Sequence, residues 1–347
     1  MRSVSHHRGC TSRRDSRWPA EDVGLIGDLR SAGGIAIAAA GAALLASCSE
    51  PPPEPPAPLP PLVPAERLAA GDFPAVTLAD TRPRGAFLAG HPAGAVPLPL
   101  EPLEPAPSGP EESKRIAGIA AALAAAGLAP GSPVVMVDDA TREGFERAAY
   151  GCWLAALTLG ARCHLLSGGL AAWEAAGGKL VEGEPDPPPH AGHAGEPATS
   201  HLASLDDLRE ATAGAPTGLV DVRPGRPPDR IPGAFRLPLD HVVDPAGTVL
   251  EARLRRAIER SGLSIPDRLI VLGSDAREGA AGWFLLHRVA GIERVALFPG
   301  GVPRWRRYPS LPLEPSPPEG KEEAGRGAAD PRPRERGGTG NQSEEGS

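Results

Sequence analysis

The chain repeats a set of motifs in fixed order, and this limits its possible folds more than any single motif does. Leu78-Ala79-Asp80-Thr81-Arg82-Pro83 is answered by Leu219-Val220-Asp221-Val222-Arg223-Pro224, 141 positions on. Gly127-Leu128 is answered by Gly262-Leu263, 135 on, and Gly168-Gly169 with Trp173 by Gly300-Gly301 with Trp305, 132 on. An offset that drifts slowly while the order holds marks a duplication with small loop deletions. The first copy reads as strand (75–79), helix (111–126, closed by Gly127), strand (134–137), helix (143–159) and strand (163–166). Strands alternating with helices call for a mostly parallel sheet covered on both faces. The expected fold is therefore α/β: two similar domains, each such a sheet flanked by helices, over residues 65–182 and 201–313.

The remainder of the 347 residues reads as linker and tail, in keeping with 43 Gly and 43 Pro. Residues 183–200 form a linker, in which His190 and His193, with His201 just beyond, lack the carboxylates or cysteines that would fix a metal; no metal or cofactor is implied. Residues 314–347, rich in Glu, Gly, Arg and Pro, read as a disordered tail. The net charge of -7 argues against a nucleic-acid partner.

At the N-terminus, the uncharged run from Ala32 to Ala46 is short for a bilayer span and ends in Leu45-Ala46-Ser47-Cys48, which reads as an export signal. That ending resembles the lipobox of bacterial lipoproteins. The resemblance implies removal of residues 1–47 and a lipid on Cys48, with Ser49 in place of an inner-membrane retention Asp. The expected location is the cell envelope, facing the periplasm, anchored in the outer membrane. Glu21 and Asp22 are unlike the basic start of such a signal, so translation from a later point such as Val23 is an alternative. Residues 48–64 are proline-dense and read as an extended spacer.

The chemistry centres on Leu269 to Gly279, an apolar strand running into a polar loop and then an apolar segment from Ala280. In α/β sheets a loop at the carboxyl end of a strand can hold an anion on backbone amides and a helix N-terminus. The candidate anion-binding loop is Gly273, Ser274, Asp275, Ala276, Arg277, Glu278 and Gly279. Arg277 and Arg230 are candidates to make it attractive to anions. Its counterpart in the first copy, beginning at Asp138-Asp139, would repel them. Arg304, Arg306 and Arg307, around Trp305 and Tyr308, read either as a basic aromatic patch or as a solvated face.

The paired motifs resemble the rhodanese family, and in particular its tandem sulfurtransferases. Asp80-x-Arg82-Pro83 with Gly90-His91-x-x-Gly94-Ala95, Asp221-x-Arg223-Pro224 with Ile231-Pro232-Gly233-Ala234, and both GGxxxW elements carry the likeness over residues 65–313. The second copy has Asp229-Arg230 where Gly-His is usual. The resemblance implies persulfide chemistry on a cysteine heading the loop of the second domain, because sulfur transfer needs a soft thiolate nucleophile. Here that place falls at Gly273, and its partner position at Asp138, so no catalytic residue is assigned at either. Cys152 and Cys163 read as small buried core residues, with no geometric reason to expect a bond between them. Asp80, Arg82, Asp221 and Arg223 read as loop braces. The preferred reading is a catalytically silent binding or scaffold module, with the membrane and an envelope protein or small anion as partners. The alternatives are a sulfurtransferase using an atypical cysteine to move sulfane sulfur from thiosulfate or a similar donor to a thiol or cyanide, and, more remotely, a phosphate-type hydrolase.

Overall fold

The computed structural model describes residues 58–73, 76–98, 100, 110–185, 197–260 and 268–316. The run expected as an export signal, Cys48, His190, His193, Gly262, Leu263 and most of the C-terminal tail lie outside these.

Two parallel sheets are present, and they share one strand order. The first contains β1 (Leu62–Val63), β2 (Thr77–Asp80), β3 (Val96–Pro97), β4 (Pro133–Val137) and β5 (Arg162–Leu166), arranged β1-β5-β4-β2-β3. The second contains β6 (Thr217–Asp221), β7 (Phe235–Arg236), β8 (Arg268–Leu272) and β9 (Val295–Leu297), arranged β9-β8-β6-β7. The place of β1 is taken in the second half by a parallel bridge from Leu202 to Leu297. Registers correspond too: Asp80 lies beside Val137, and Asp221 beside Leu272.

Both faces of each sheet are buried, which the strand sequences explain. Successive side chains point to opposite faces. In β4, Val134 and Met136 enter a core shared by the two halves, while Val135 and Val137 enter an outer core with Val63, Leu68 and Trp173. In β8, Leu269 and Val271 face the shared core and Ile270 and Leu272 a second outer core with Leu208 and Trp305. The shared core holds the helices that follow the two loops, α1 (Arg142–Leu159) and α2 (Ala276–Phe284), which pack on one another. Both are apolar almost all round, as helices buried on every side must be; Phe145 and Phe284 meet edge to face at 6.1 Å.

Three expectations are corrected. The proline-dense spacer ends earlier than Pro64, because Leu62–Val63 pairs with Leu165–Leu166 and Val63 is fully buried. The tail begins later than Glu314: Glu314–Pro315 pairs antiparallel with Asp229–Arg230, just as Leu180–Val181 pairs with His91–Pro92 in the first half. Cys152 and Cys163 are joined in a disulfide, with Cα atoms 5.3 Å apart. The Cys152 turn of α1 lies over the neighbouring strand β5, so the pair falls within bonding distance.

Candidate functional site

Each loop follows a buried aspartate–arginine brace. The Arg82 amide donates to Asp80 at 3.0 Å, and its guanidinium forks over the same carboxylate and donates to the Gly90 carbonyl at 2.7 Å. Arg223 repeats this on Asp221 and the Asp229 carbonyl. These residues fix the strand ends and the early loop of each copy, consistent with their reading as braces.

Four residues, Asp138 to Thr141, lie between β4 and α1, and three, Gly273 to Asp275, between β8 and α2. The GG elements pin both loops from below: Leu170 N donates to Asp138 O at 2.8 Å and Val302 N to Gly273 O at 2.9 Å. This contact matches the pairing of Asp138 with Gly273. It also requires glycine at 169 and 301, where φ is positive and a Cβ would fall 2.5 Å and 2.3 Å from those carbonyls.

In the first loop the Asp138 carboxylate is buried and saturated. It accepts from Thr81 Oγ1, Asp139 N and the Nε and terminal nitrogen of Arg147. Burial pushes its pKa up, against the pull of Arg147 and Thr81. The turn Asp244–Thr248 of the second half closes over this loop. Arg142 N donates to Pro245 O at 3.1 Å, and a Cβ on Gly247 would lie 2.5 Å from Thr141 O. The cavity left, about 20 Å³, takes little more than one water.

In the second loop four amides, those of Ser274, Arg277, Glu278 and Gly279, are satisfied from within. Asp275 caps α2 by accepting from Arg277 N and Glu278 N, both at 2.9 Å. Glu278, 8% exposed, turns back to accept from Ser274 N at 2.7 Å. Gly279 N donates to Asp275 O, and Ala276 is buried in the helix start. Burial raises the Glu278 pKa, partly offset by the Ser274 hydrogen bonds. A Cβ at Gly273 would sit 2.6 Å from Gly279 N and 3.0 Å from Asp275 O, so the loop has tightened onto the bare backbone. Arg277 stays beside this loop, with its Nε buried and unpartnered, whereas Arg230 pairs with Glu314 instead. Arg306 pairs with Asp229, Arg304 lies over Phe298 and Trp305 is fully buried, so these residues do not form one open basic aromatic patch.

Sequence reasoning placed Glu278 in the second loop but not as the group that fills it, and missed Arg147 and the Asp244–Thr248 turn as occupants of the first. The Asp275-x-x-Glu278 spacing carried a signal, since an acid three residues after a helix cap commonly reaches back to free amides. The other two are long-range contacts with no local signature.

A family model for the Rhodanese-like domain matches residues 65–176. SseB of Mycobacterium tuberculosis, whose name provisionally assigns it thiosulfate sulfurtransferase activity, is 30% identical over 285 residues, spanning 72% of this chain and 93% of SseB. Among solved structures, the 3-mercaptopyruvate sulfotransferase SseA of Escherichia coli aligns with a TM-score of 0.57 at 22% identity, over 70% of this chain and 98% of its own. An anaerobic ergothioneine biosynthesis enzyme of Chlorobium limicola aligns at 0.59 and 22%, over 74% and 71%. The structural likenesses speak to the fold, and the SseB match, running nearly its full length, reaches further: the chain belongs to the rhodanese-like sulfurtransferase family.

Proposed function

We propose that this protein is a tandem rhodanese-like module that has given up persulfide chemistry at both loops and works by binding, held at the cell envelope by a lipid on Cys48. One observation carries the reading: where the chemistry needs a thiolate, the first loop holds an Asp138 carboxylate locked by Arg147, and the second has no room for any side chain at Gly273. On this reading the negative charge expected on the second loop's amides is supplied by the protein's own Asp275 and Glu278. Sulfur transfer through another cysteine would first require opening the Cys152–Cys163 disulfide, whose residues are buried.

The decisive experiment measures thiosulfate-to-cyanide sulfur transfer by protein purified without its signal. Turnover should stay at background. Turnover that disappears in Cys152→Ser or Cys163→Ser would overturn the proposal and favour an atypical sulfurtransferase. Support for the envelope location comes from the disulfide, since such bonds persist in oxidising compartments. Cys48→Ala should move the protein from the membrane fraction to the soluble periplasm, and an unchanged membrane fraction would refute the anchor.

A further inference from the structure

At the end of the molecule opposite the loops, a second cavity opens between the halves. Its position follows from α1, which starts at the first loop and runs 18 residues to Leu159, about 27 Å at helical rise. The cavity measures about 170 Å³ and is lined by Arg162 from the start of β5, by Trp283, His287 and Arg288 from the second half, and by His201. Among the described residues no carboxylate lines it.

Its walls divide into two kinds. His201, Trp283 and His287 form an aromatic cluster with ring centroids 5.0 to 5.3 Å apart. Burial lowers the pKa of both imidazoles, and His201 is further lowered by His287, so near neutral pH they offer faces and not charge. The charge comes from two guanidinium groups. Arg288 is anchored through Nε to the Cys163 carbonyl at 3.0 Å. Its pKa is lowered by burial and then by Arg162, as expected for neighbouring cations without a counterion. Arg162 is exposed, and its side chain makes no hydrogen bond or ion pair among the described residues.

We propose that this cavity binds a small planar organic carboxylate, with the ring against Trp283 and the imidazoles and the carboxylate between Arg162 and Arg288. Guanidinium groups hold planar oxyanions through paired hydrogen bonds, and uncompensated cations in a half-buried site gain most from an anion. The volume suits one ring, since a cavity of roughly 150 Å³ admits benzene. The two positive charges exclude a metal ion bound by the two histidines.

Benzoate is the probe, titrated calorimetrically into the signal-free protein with benzamide, its neutral isostere, alongside. Benzoate should bind saturably in the millimolar range or tighter and benzamide should not. Arg162→Gln, at an exposed position, should weaken benzoate by about tenfold or more, with partial rescue by Arg162→Lys. Ala156 near the end of α1 also lines the cavity, and Ala156→Leu, which adds bulk there without changing charge, should abolish binding. Absence of saturable benzoate binding, equal binding of benzamide, or binding unaltered in both Arg162→Gln and Ala156→Leu would each overturn the proposal.

Discussion

Glu146 is where joining the two repeats brings carboxylates together. It sits half-buried on α1, near Glu278 and Asp275 of the second half, with Glu143 also close and Arg142 opposing them. Burial first, and Glu278 and Asp275 next, raise its pKa from the usual 4.5 to about 7. An acid whose pKa is raised on folding binds its proton more tightly when folded. Stability therefore falls as pH rises from about 4.5 to about 7 and remains lower above that. Glu146→Gln should remove the penalty, raising stability at pH 8 by roughly 1–2 kcal/mol after allowance for solvent screening, and should change little at pH 4. Denaturant melts at both pH values test this, and an equal gain at both would show that packing, not charge, was responsible. Gly273 teaches a related lesson. Its sequence position announces a missing thiol, but only the structure shows the missing space. A cysteine placed at 273 would collide with Gly279 and Asp275 before it restored any chemistry.

At the scale of elements, most of the strands and helices were legible because their signals are local. The runs at 134–137 and 269–272 are β-rich, and Gly127 and Gly160 both sit just past the last turn of the preceding helix, with positive φ. Loop interiors were legible only as positions. Two facts set their geometry: the second loop has one residue fewer before its cap than the first, and Glu278 folds back to take a free amide. The disulfide was missed for a similar reason. Helix and strand were correctly placed, but whether position 152 faces β5 depends on the rotation of α1, which its nearly uniform apolar sequence does not fix. Closing a loop across an 11-residue separation should stabilise by about 2–3 kcal/mol. Removing both thiols in Cys152→Ala/Cys163→Ala should lower the unfolding free energy by that amount, read as a lower denaturation midpoint, and treating the wild type with reductant under unfolding conditions should reproduce it. No change in midpoint from either would mean that the bond constrains the unfolded chain little.

Across the whole molecule, duplication predicts two domains, but a sheet and its helices are not the same thing as an independent folding unit. Each half keeps its own sheet, yet the helices after the two loops pack on each other more extensively than any other pair of elements, and one core runs from Leu123 and Trp153 through Phe284 to Leu297. Contact of this extent makes separate unfolding costly, because opening either half would expose apolar helix surface of the other. The described residues accordingly fall within one compact unit that contains both sheets. Phe145 offers the test, since its ring meets Phe284 across the join and it is 6% exposed. Phe145→Ala should cost about 3–5 kcal/mol, and the loss should be felt in both halves. Amide exchange should therefore quicken together in β4 and β8, by the same free energy. If β8 kept its wild-type protection while β4 lost it, the halves would be independent domains that merely touch. The closure of the first loop by the Asp244–Thr248 turn would then be a docking contact, open to separation, and not a fixed part of the fold.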